Sequence, residues 1–229
     1  MTNKAYIGPE FFQFFRELKE NNNRDWFQTN KDRYESIVRE PLLRFITDFG
    51  VRLPEISSHY VADPRRSGGS LFRLNRDIRF SKDKSPYKTM AGIQFRHESG
   101  KDVHAPGFYL HFEPGSVFAG IGIWHPETRT LNKIRDAIVE NPDRWQEIKS
   151  DEVFAATYHL GGESLKRPPK GYDADHPLIE DLKRKDFIAN IEFSEEDTFT
   201  PHFIDRFAEV CRIGAPFMEF LTTAVGLPW

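Results

Sequence analysis

The sequence predicts an α+β fold in which helices from both chain ends pack on one face of an antiparallel sheet. Apolar residues recur with helical spacing near both ends of the chain, and they alternate with period two between about residues 71 and 124. Only short turns separate the alternating segments, which favours an antiparallel meander, because parallel strands need long crossover connections. At 229 residues the chain fits a single domain over 1–229.

The predicted helices follow from apolar stripes and from prolines at their first turns. Pro9 precedes a stripe that runs to Leu18, and a second helical pattern covers 26–38. A third pattern begins at Pro41 and closes before Pro54. After the sheet, helices are predicted from Pro126, from 141–142 and from 176–177. The last helix starts at 200–201 and carries one stripe that extends to 221.

The predicted strands are the segments in which apolar and polar residues alternate. They cover 71–80, 91–96, 108–113 and 117–124, and one more strand is predicted at 187–193. The segment 161–175 is rich in glycine, proline and lysine and is predicted to be a long loop.

Composition excludes several classes of protein. The mean hydropathy of −0.60 and the absence of a run of about 20 apolar residues exclude a membrane-embedded chain. Cys211 is the only cysteine, so an intramolecular disulfide and a cysteine-based zinc finger are excluded, and its place on an apolar stripe predicts an inert core thiol. The first residues lack an apolar signal segment, from which we expect a cytoplasmic protein.

Positive charge is concentrated in residues 65–88, where eight basic residues stand against two acidic ones although the whole chain has a net charge of −3. Within the predicted strand 71–80, Arg76 falls on the apolar face, which requires either a bulge or a carboxylate partner. Lysines, hydroxyls and turn N–H groups can converge on an anion. The residues expected to hold it are Arg73, Arg76, Arg79, Lys82, Lys84, Ser85, Tyr87 and Lys88. Ion pairing with carboxylates elsewhere in the chain explains the cluster equally well.

Five segments resemble one uncharacterised family, the domain of unknown function 2461. They are RDIRFSKDKSPYKT (76–89), NNNRDWF (21–27), FYLHFEP (108–114), GIGIWHP (120–126) and LKRPPKGYDADHP (165–177). The resemblance spans nearly the whole chain in the same order. It implies a stand-alone soluble protein with bacterial and fungal relatives, and it implies no activity, cofactor or catalytic residue.

A second group of polar residues is predicted on one face of the meander. His111 and Glu113 are two residues apart on a strand, so both point to the same side as Tyr109, and they are the first choice for proton transfer. Gly120 and Gly122 lack side chains and predict a groove beside Trp124 on whichever face they occupy. If the loop 161–175 covers the polar face, it forms a cleft to which Lys166, Arg167 and Lys170 contribute. A solvated sheet face explains the same pattern, and we assign no metal or cofactor.

Three functions remain open at this point. The first is binding of an anionic small molecule that carries phosphate or carboxylate, with or without a reaction of unknown type. The second is a nucleic-acid-binding module, in which Phe72, Phe80, Tyr87 and Phe95 stack on bases; the acidic pI near 6.3 argues against it. The third is an interaction protein whose basic segment docks an acidic partner through Lys82 and Lys84. The sequence predicts neither the reaction nor the oligomeric state.

Overall fold

Residues 5–100 and 104–229 are described by the computed structural model, and the amino-terminal part of the chain is helical. Its helices are α1 (Pro9–Glu20), α2 (Arg24–Thr29), α3 (Lys31–Tyr34) and α4 (Glu40–Phe49), with a π-helical turn at Glu35–Arg39 before α4. α1 begins at the predicted proline. The Asn23 side chain caps α2 by accepting a hydrogen bond from the Trp26 N–H at 3.0 Å.

One sheet runs through the middle of the molecule, and each strand in it is antiparallel to its neighbours. Its strands are β1 (Tyr60–Val61), β2 (Ala91–His97), β3 (Gly107–Glu113), β4 (Ser116–Ile123), β5 (His159–Gly161) and β6 (Phe187–Phe193). Their order across the sheet is β1-β2-β3-β4-β6-β5. The meander of β2, β3 and β4 confirms three of the predicted strands, and β6 confirms the strand predicted at 187–193.

The second group of helices follows β4. It consists of α5 (Thr128–Glu140), α6 (Pro142–Ser150), α7 (Glu152–Thr157), α8 (Ile179–Leu182), α9 (Phe203–Ile213) and α10 (Ala215–Ala224). The prediction of one continuous last helix is wrong, because the chain breaks at Gly214 between α9 and α10. Pro216 lies in the first turn of α10, where a backbone N–H has no partner within the helix and its absence costs nothing. In the middle of a continuous helix, the same proline would remove a hydrogen bond and break the helix.

One face of the sheet forms the core together with helices from both chain ends. The rings of Phe11 in α1 and Phe112 in β3 lie 5.7 Å apart, and those of Phe49 in α4 and Phe95 in β2 lie 4.5 Å apart. Phe207 of α9 closes the same cluster, with its ring 5.9 Å from that of Phe95. All five side chains are fully buried. The α+β class is therefore confirmed.

The prediction of a strand at 71–80 is wrong. This segment makes only isolated bridges, from Leu71 to Ile93 and from Asn75 to Tyr87. A continuous strand would place the Arg76 guanidinium on the apolar face, where an unpaired charge is very costly. The backbone turns instead, so that the Arg76 N–H donates to the Pro86 carbonyl at 2.9 Å. The meander consequently begins at β2.

The expectations drawn from composition concerned Cys211 and membrane-spanning segments. Cys211 is fully buried, and burial raises the pKa of its thiol well above the usual range, as an inert core thiol requires. None of the helices in the two described ranges has both the length and the apolar composition needed to cross a membrane.

Candidate functional site

A cleft of about 480 Å³ lies on the open face of the sheet, opposite the helical core. Its floor is formed mainly by the residues of β2, β3, β4 and β6 that point away from the core, and its cover comes from Phe72, Lys88 and Met90. The lining residues are Phe72, Lys88, Met90, Gln94, Gly107, Tyr109, His111, Phe118, Gly120, Ile121, Gly122, Trp124, Ile188 and Asn190.

Glycines at floor positions create the space. Gly120 is paired with Tyr109 on one side and with Asn190 on the other. A Cβ atom at Gly120 would lie 2.8 Å from the Asn190 side-chain oxygen, so any larger residue would displace that amide. Gly122 has φ of 119°, and a Cβ there would lie 2.0 Å from the Phe187 carbonyl oxygen. The groove that the sequence predicts beside Trp124 is present at these two glycines.

The cover of the cleft differs from the one predicted. The Phe72 N–H donates to the Gly92 carbonyl at 2.9 Å, which ties this segment to the edge of β2. The Asn22 side chain then holds Tyr87 through its backbone, because it donates to the carbonyl at 2.9 Å and accepts from the N–H at 3.1 Å. Lys88 and Phe72 are thereby placed over the floor. The loop residues Lys166, Arg167 and Lys170 are exposed and do not line the cleft.

Polar groups gather at one end of the cleft, which we call the histidine end (Lys88, Thr89, Tyr109, His111 and Glu113). Lys88, Tyr109 and His111 line the cleft, and Thr89 and Glu113 lie next to them. The Tyr109 hydroxyl lies 2.9 Å from His111 Nδ1, and His111 Nε2 lies 3.5 Å from a Glu113 oxygen. The Thr89 hydroxyl donates to the other Glu113 oxygen at 3.2 Å. The sequence correctly placed His111 and Glu113 on one side of β3, and it missed Thr89.

Burial sets the protonation states at the histidine end. It raises the pKa of Tyr109, so the phenol keeps its proton and is able to donate it to the neighbouring Nδ1. It lowers the pKa of His111, although the Glu113 carboxylate acts in the opposite direction. A neutral His111 that accepts at Nδ1 carries its proton on Nε2 and donates toward Glu113. These groups can therefore pass a proton between a ligand and Glu113.

Lys88 is the basic residue at this end of the cleft. Its side chain is half-buried, and its ammonium lies 5.3 Å from the centre of the Phe72 ring. Burial lowers the pKa of Lys88, and the charge of Arg73 adds to this effect. In the described parts of the chain no carboxylate lies within ion-pairing distance of this ammonium. Among the described residues, this ammonium of the cleft lining is therefore not compensated by a carboxylate.

The other cations predicted to bind an anion lie outside the cleft lining. Arg76 pairs with Asp83, and Arg79 pairs with Asp77 at 2.7 Å. The Lys84 ammonium donates to the Ile78 carbonyl at 2.9 Å, and Arg73 and Lys82 are exposed.

The two remaining members of the predicted set are held by other contacts. The Ser85 N–H donates to Asp83 at 2.9 Å, and the Tyr87 ring lies 4.3 Å from that of Phe27. The structure thus brings together the residues of the histidine end but separates them from the rest of the basic segment.

A larger and more open groove of about 700 Å³ lies between α5 and α10. Its basic side chains already have partners: Lys133 donates to the Val225 carbonyl at 2.9 Å, and Arg144 pairs with Glu147 at 2.8 Å. Buried titratable groups are found in the sheet cleft, which is therefore the better candidate. No group of three potential metal ligands is gathered in the residues that the structure describes.

Comparison with known proteins identifies the family. The family model described as "Conserved hypothetical protein (DUF2461)" matches residues 10–220. The chain belongs to this family. The match includes all the residues that line the cleft, and it confirms the resemblance seen in the five sequence segments. No curated protein and no solved structure matches the chain.

Proposed function

We propose that the protein binds a small molecule with a phosphate or carboxylate group in the cleft on the open face of the sheet. The observation that carries the proposal is Lys88, a half-buried ammonium in the cleft with no carboxylate near it among the described residues. Folding disfavours such a charge, so a ligand that supplies the missing negative charge would recover the lost interaction.

The walls of the cleft suggest the rest of the ligand. Phe72, Phe118 and Trp124 supply aromatic surface, and Asn190 supplies hydrogen-bonding groups between them. This combination fits a molecule with a planar or apolar body and one anionic group. His111 and Glu113 lie at the same end as Lys88, so a proton could be transferred at the anionic part of the ligand.

Phenyl phosphate is a suitable probe, because it joins an aromatic ring to one phosphate. We expect it to raise the melting temperature of the protein and to bind measurably by calorimetry. Lys88→Gln should weaken binding by about 10- to 150-fold, since a hydrogen bond to a charged group contributes about 1.5–3 kcal/mol.

The matched control is Lys82→Gln, which removes an exposed lysine from the same segment and should leave phenyl phosphate affinity unchanged. Equal binding by wild type and Lys88→Gln would refute the proposal. Equal loss of affinity in both variants would instead indicate a diffuse electrostatic effect of the basic segment (residues 65–88) and would refute binding in the cleft.

A nucleic-acid-binding function is the second candidate, and one observation favours it. Phe80 is 95% exposed, with the Arg79 guanidinium 5.9 Å from its ring centre. Two other residues predicted to stack on bases are not available, because Phe95 is fully buried and Tyr87 is buried against Phe27. Fluorescence anisotropy with a single-stranded DNA oligonucleotide tests this candidate. A binder should lose affinity steeply with salt, with a slope near −0.7 per phosphate contact, and Phe80→Ser should weaken it.

A further inference from the structure

A second pair of titratable groups, His125 and Asp186, lies next to Trp124 at the opposite end of the cleft. We call these three residues the tryptophan end. Trp124 lines the cleft, and the His125 ring lies 4.2 Å from the Trp124 ring. His125 Nδ1 lies 2.9 Å from an oxygen of Asp186. The histidine is half-exposed, whereas the side chain of Asp186 is only 2% exposed.

Asp186 is held by backbone N–H donors, and no lysine or arginine of the described residues pairs with it. One carboxylate oxygen accepts from the His125 backbone N–H at 2.8 Å and lies 2.9 Å from the ring Nδ1, and the other accepts from the Glu163 N–H at 2.9 Å. Gly162 makes room for it, since a Cβ there would lie 2.4 Å from the Asp186 Cβ. The two backbone N–H donors fix the orientation of the carboxylate.

The backbone at His125 supports a role for the side chain itself. Among the described residues, His125 is the only one other than glycine with a positive φ, at 46°. Glycine adopts this conformation without strain, so the turn does not require a histidine. Backbone strain of this kind is typical of residues whose side chain is held in place for function.

The two ends of the cleft are too far apart to act on the same atom. His111 is paired with Phe118 across β3 and β4, and Trp124 follows six positions further along the chain. At about 3.3 Å per residue, this separates the two ends by about 20 Å. The tryptophan end therefore needs its own chemical interpretation.

We propose that His125 and Asp186 form a proton-transfer pair at the tryptophan end of the cleft. Asp186 accepts the Nδ1 proton and fixes the ring, and Nε2 is left as the base for a hydroxyl group or water molecule beside Trp124. His125 is the group that accepts the proton, and Asp186 is a positioning residue. The inference rests on the proposed function only in taking the cleft as the place where the ligand lies.

Hydrolysis of 4-nitrophenyl acetate tests the base directly. Nε2 takes a proton from the water molecule whose oxygen attacks the ester carbonyl carbon, and 4-nitrophenolate leaves with the electron pair of the broken C–O bond. His125→Asn should lower the rate by about tenfold, because the general base is lost. Asparagine tolerates a positive φ and keeps the backbone N–H that Asp186 accepts, so this variant should fold.

The matched control is His202→Asn. The His202 side chain is 81% exposed, and its Nδ1 is 3.7 Å from an exposed carboxylate oxygen of Asp205. Its loss should leave the rate unchanged. Equal rates in wild type and His125→Asn, or an equal loss in both variants, would overturn the proposal.

Nitrogen-15 spectra of the histidine rings provide a measurement that needs no variant. We expect the neutral His125 ring to carry its proton on Nδ1, and an Nε2-protonated ring would overturn the proposal. Asp186→Asn should lower the esterase rate as His125→Asn does; where that variant fails to fold, the spectra and His125→Asn still decide. A failure of Lys88→Gln to affect phenyl phosphate would refute the anion site while leaving these results unchanged.

Discussion

The strands β2, β3, β4 and β6 have one face packed against helices and one open face, and the side chains on the two faces differ in kind. On the packed face, Phe95, Leu110 and Ile121 are almost fully buried against helices. On the open face, the neighbouring positions hold glycines, Tyr109 and His111 under a cover of irregular chain. The packed face supplies the stability of the fold. The open face holds partly buried polar groups, including the Lys88 ammonium, which has no carboxylate partner among the described residues. This difference is what makes the open face a candidate binding site.

The largest expected effect is a truncation on the packed face. Phe95→Ala should lower the free energy of unfolding by about 3–5 kcal/mol, because it leaves a cavity between Phe49 and Phe207. Urea denaturation at pH 7.5 measures the change. On the open face of the neighbouring strand, Tyr109→Phe removes only a hydroxyl and should cost about 1 kcal/mol or less. Comparable losses in the two variants would remove the distinction between the faces.

The packed face could be predicted from the sequence because it depends on local periodicity. Alternating apolar residues fix β2, β3, β4 and β6, and the same parity places His111 beside Glu113. The segment 71–80 shows the same alternation and is nevertheless not a strand. Periodicity does not reveal that Arg76 forms an ion pair with Asp83, seven positions away, instead of lying in a strand of the sheet.

The cleft depends on contacts between distant parts of the chain and could be predicted only in part. Gly120 and Gly122 indicated a groove, because missing side chains are visible in the sequence. The burial of Lys88 is set by a cover that Asn22 fixes from 65 positions away. Asp186 contacts His125 although the two are 61 positions apart in the sequence. No sequence pattern around either residue predicts this contact.

The next largest effect concerns the floor of the cleft. Gly122→Ala should lower the free energy of unfolding by about 2–3 kcal/mol, since it combines a positive φ with a contact on the Phe187 carbonyl. Gly115 also has a positive φ, but a Cβ there meets nothing within 4 Å. Gly115→Ala should therefore cost less than Gly122→Ala in the same urea titration. The reverse order would mean that the floor can shift to accommodate a side chain.

A smaller effect is the pH dependence that His111 introduces. Burial lowers its pKa in the folded state below the ordinary value of 6.5, so the unfolded chain binds more protons as the pH falls. Wild-type stability should therefore drop as the pH falls from about 6.5 through the lowered pKa. His111→Gln should reduce this drop, as measured by urea midpoints across the range. The exposed His202→Gln is the control, and the hypothesis fails if it has the same effect as His111→Gln.

The smallest effect expected is a gain in stability on removing a charge. The folded-state pKa of Lys88 lies below its ordinary value of 10.5, so folding disfavours the ammonium, and this cost is fully present below the lowered pKa. Lys88→Met should raise the free energy of unfolding at pH 7 by less than about 1 kcal/mol, because solvent still screens a half-buried group. The gain should disappear as the pH rises past 10.5, whereas Lys82→Met should show none. A loss of stability in Lys88→Met would instead show that the ammonium stabilises the fold, and the reason for expecting an external anion would be gone.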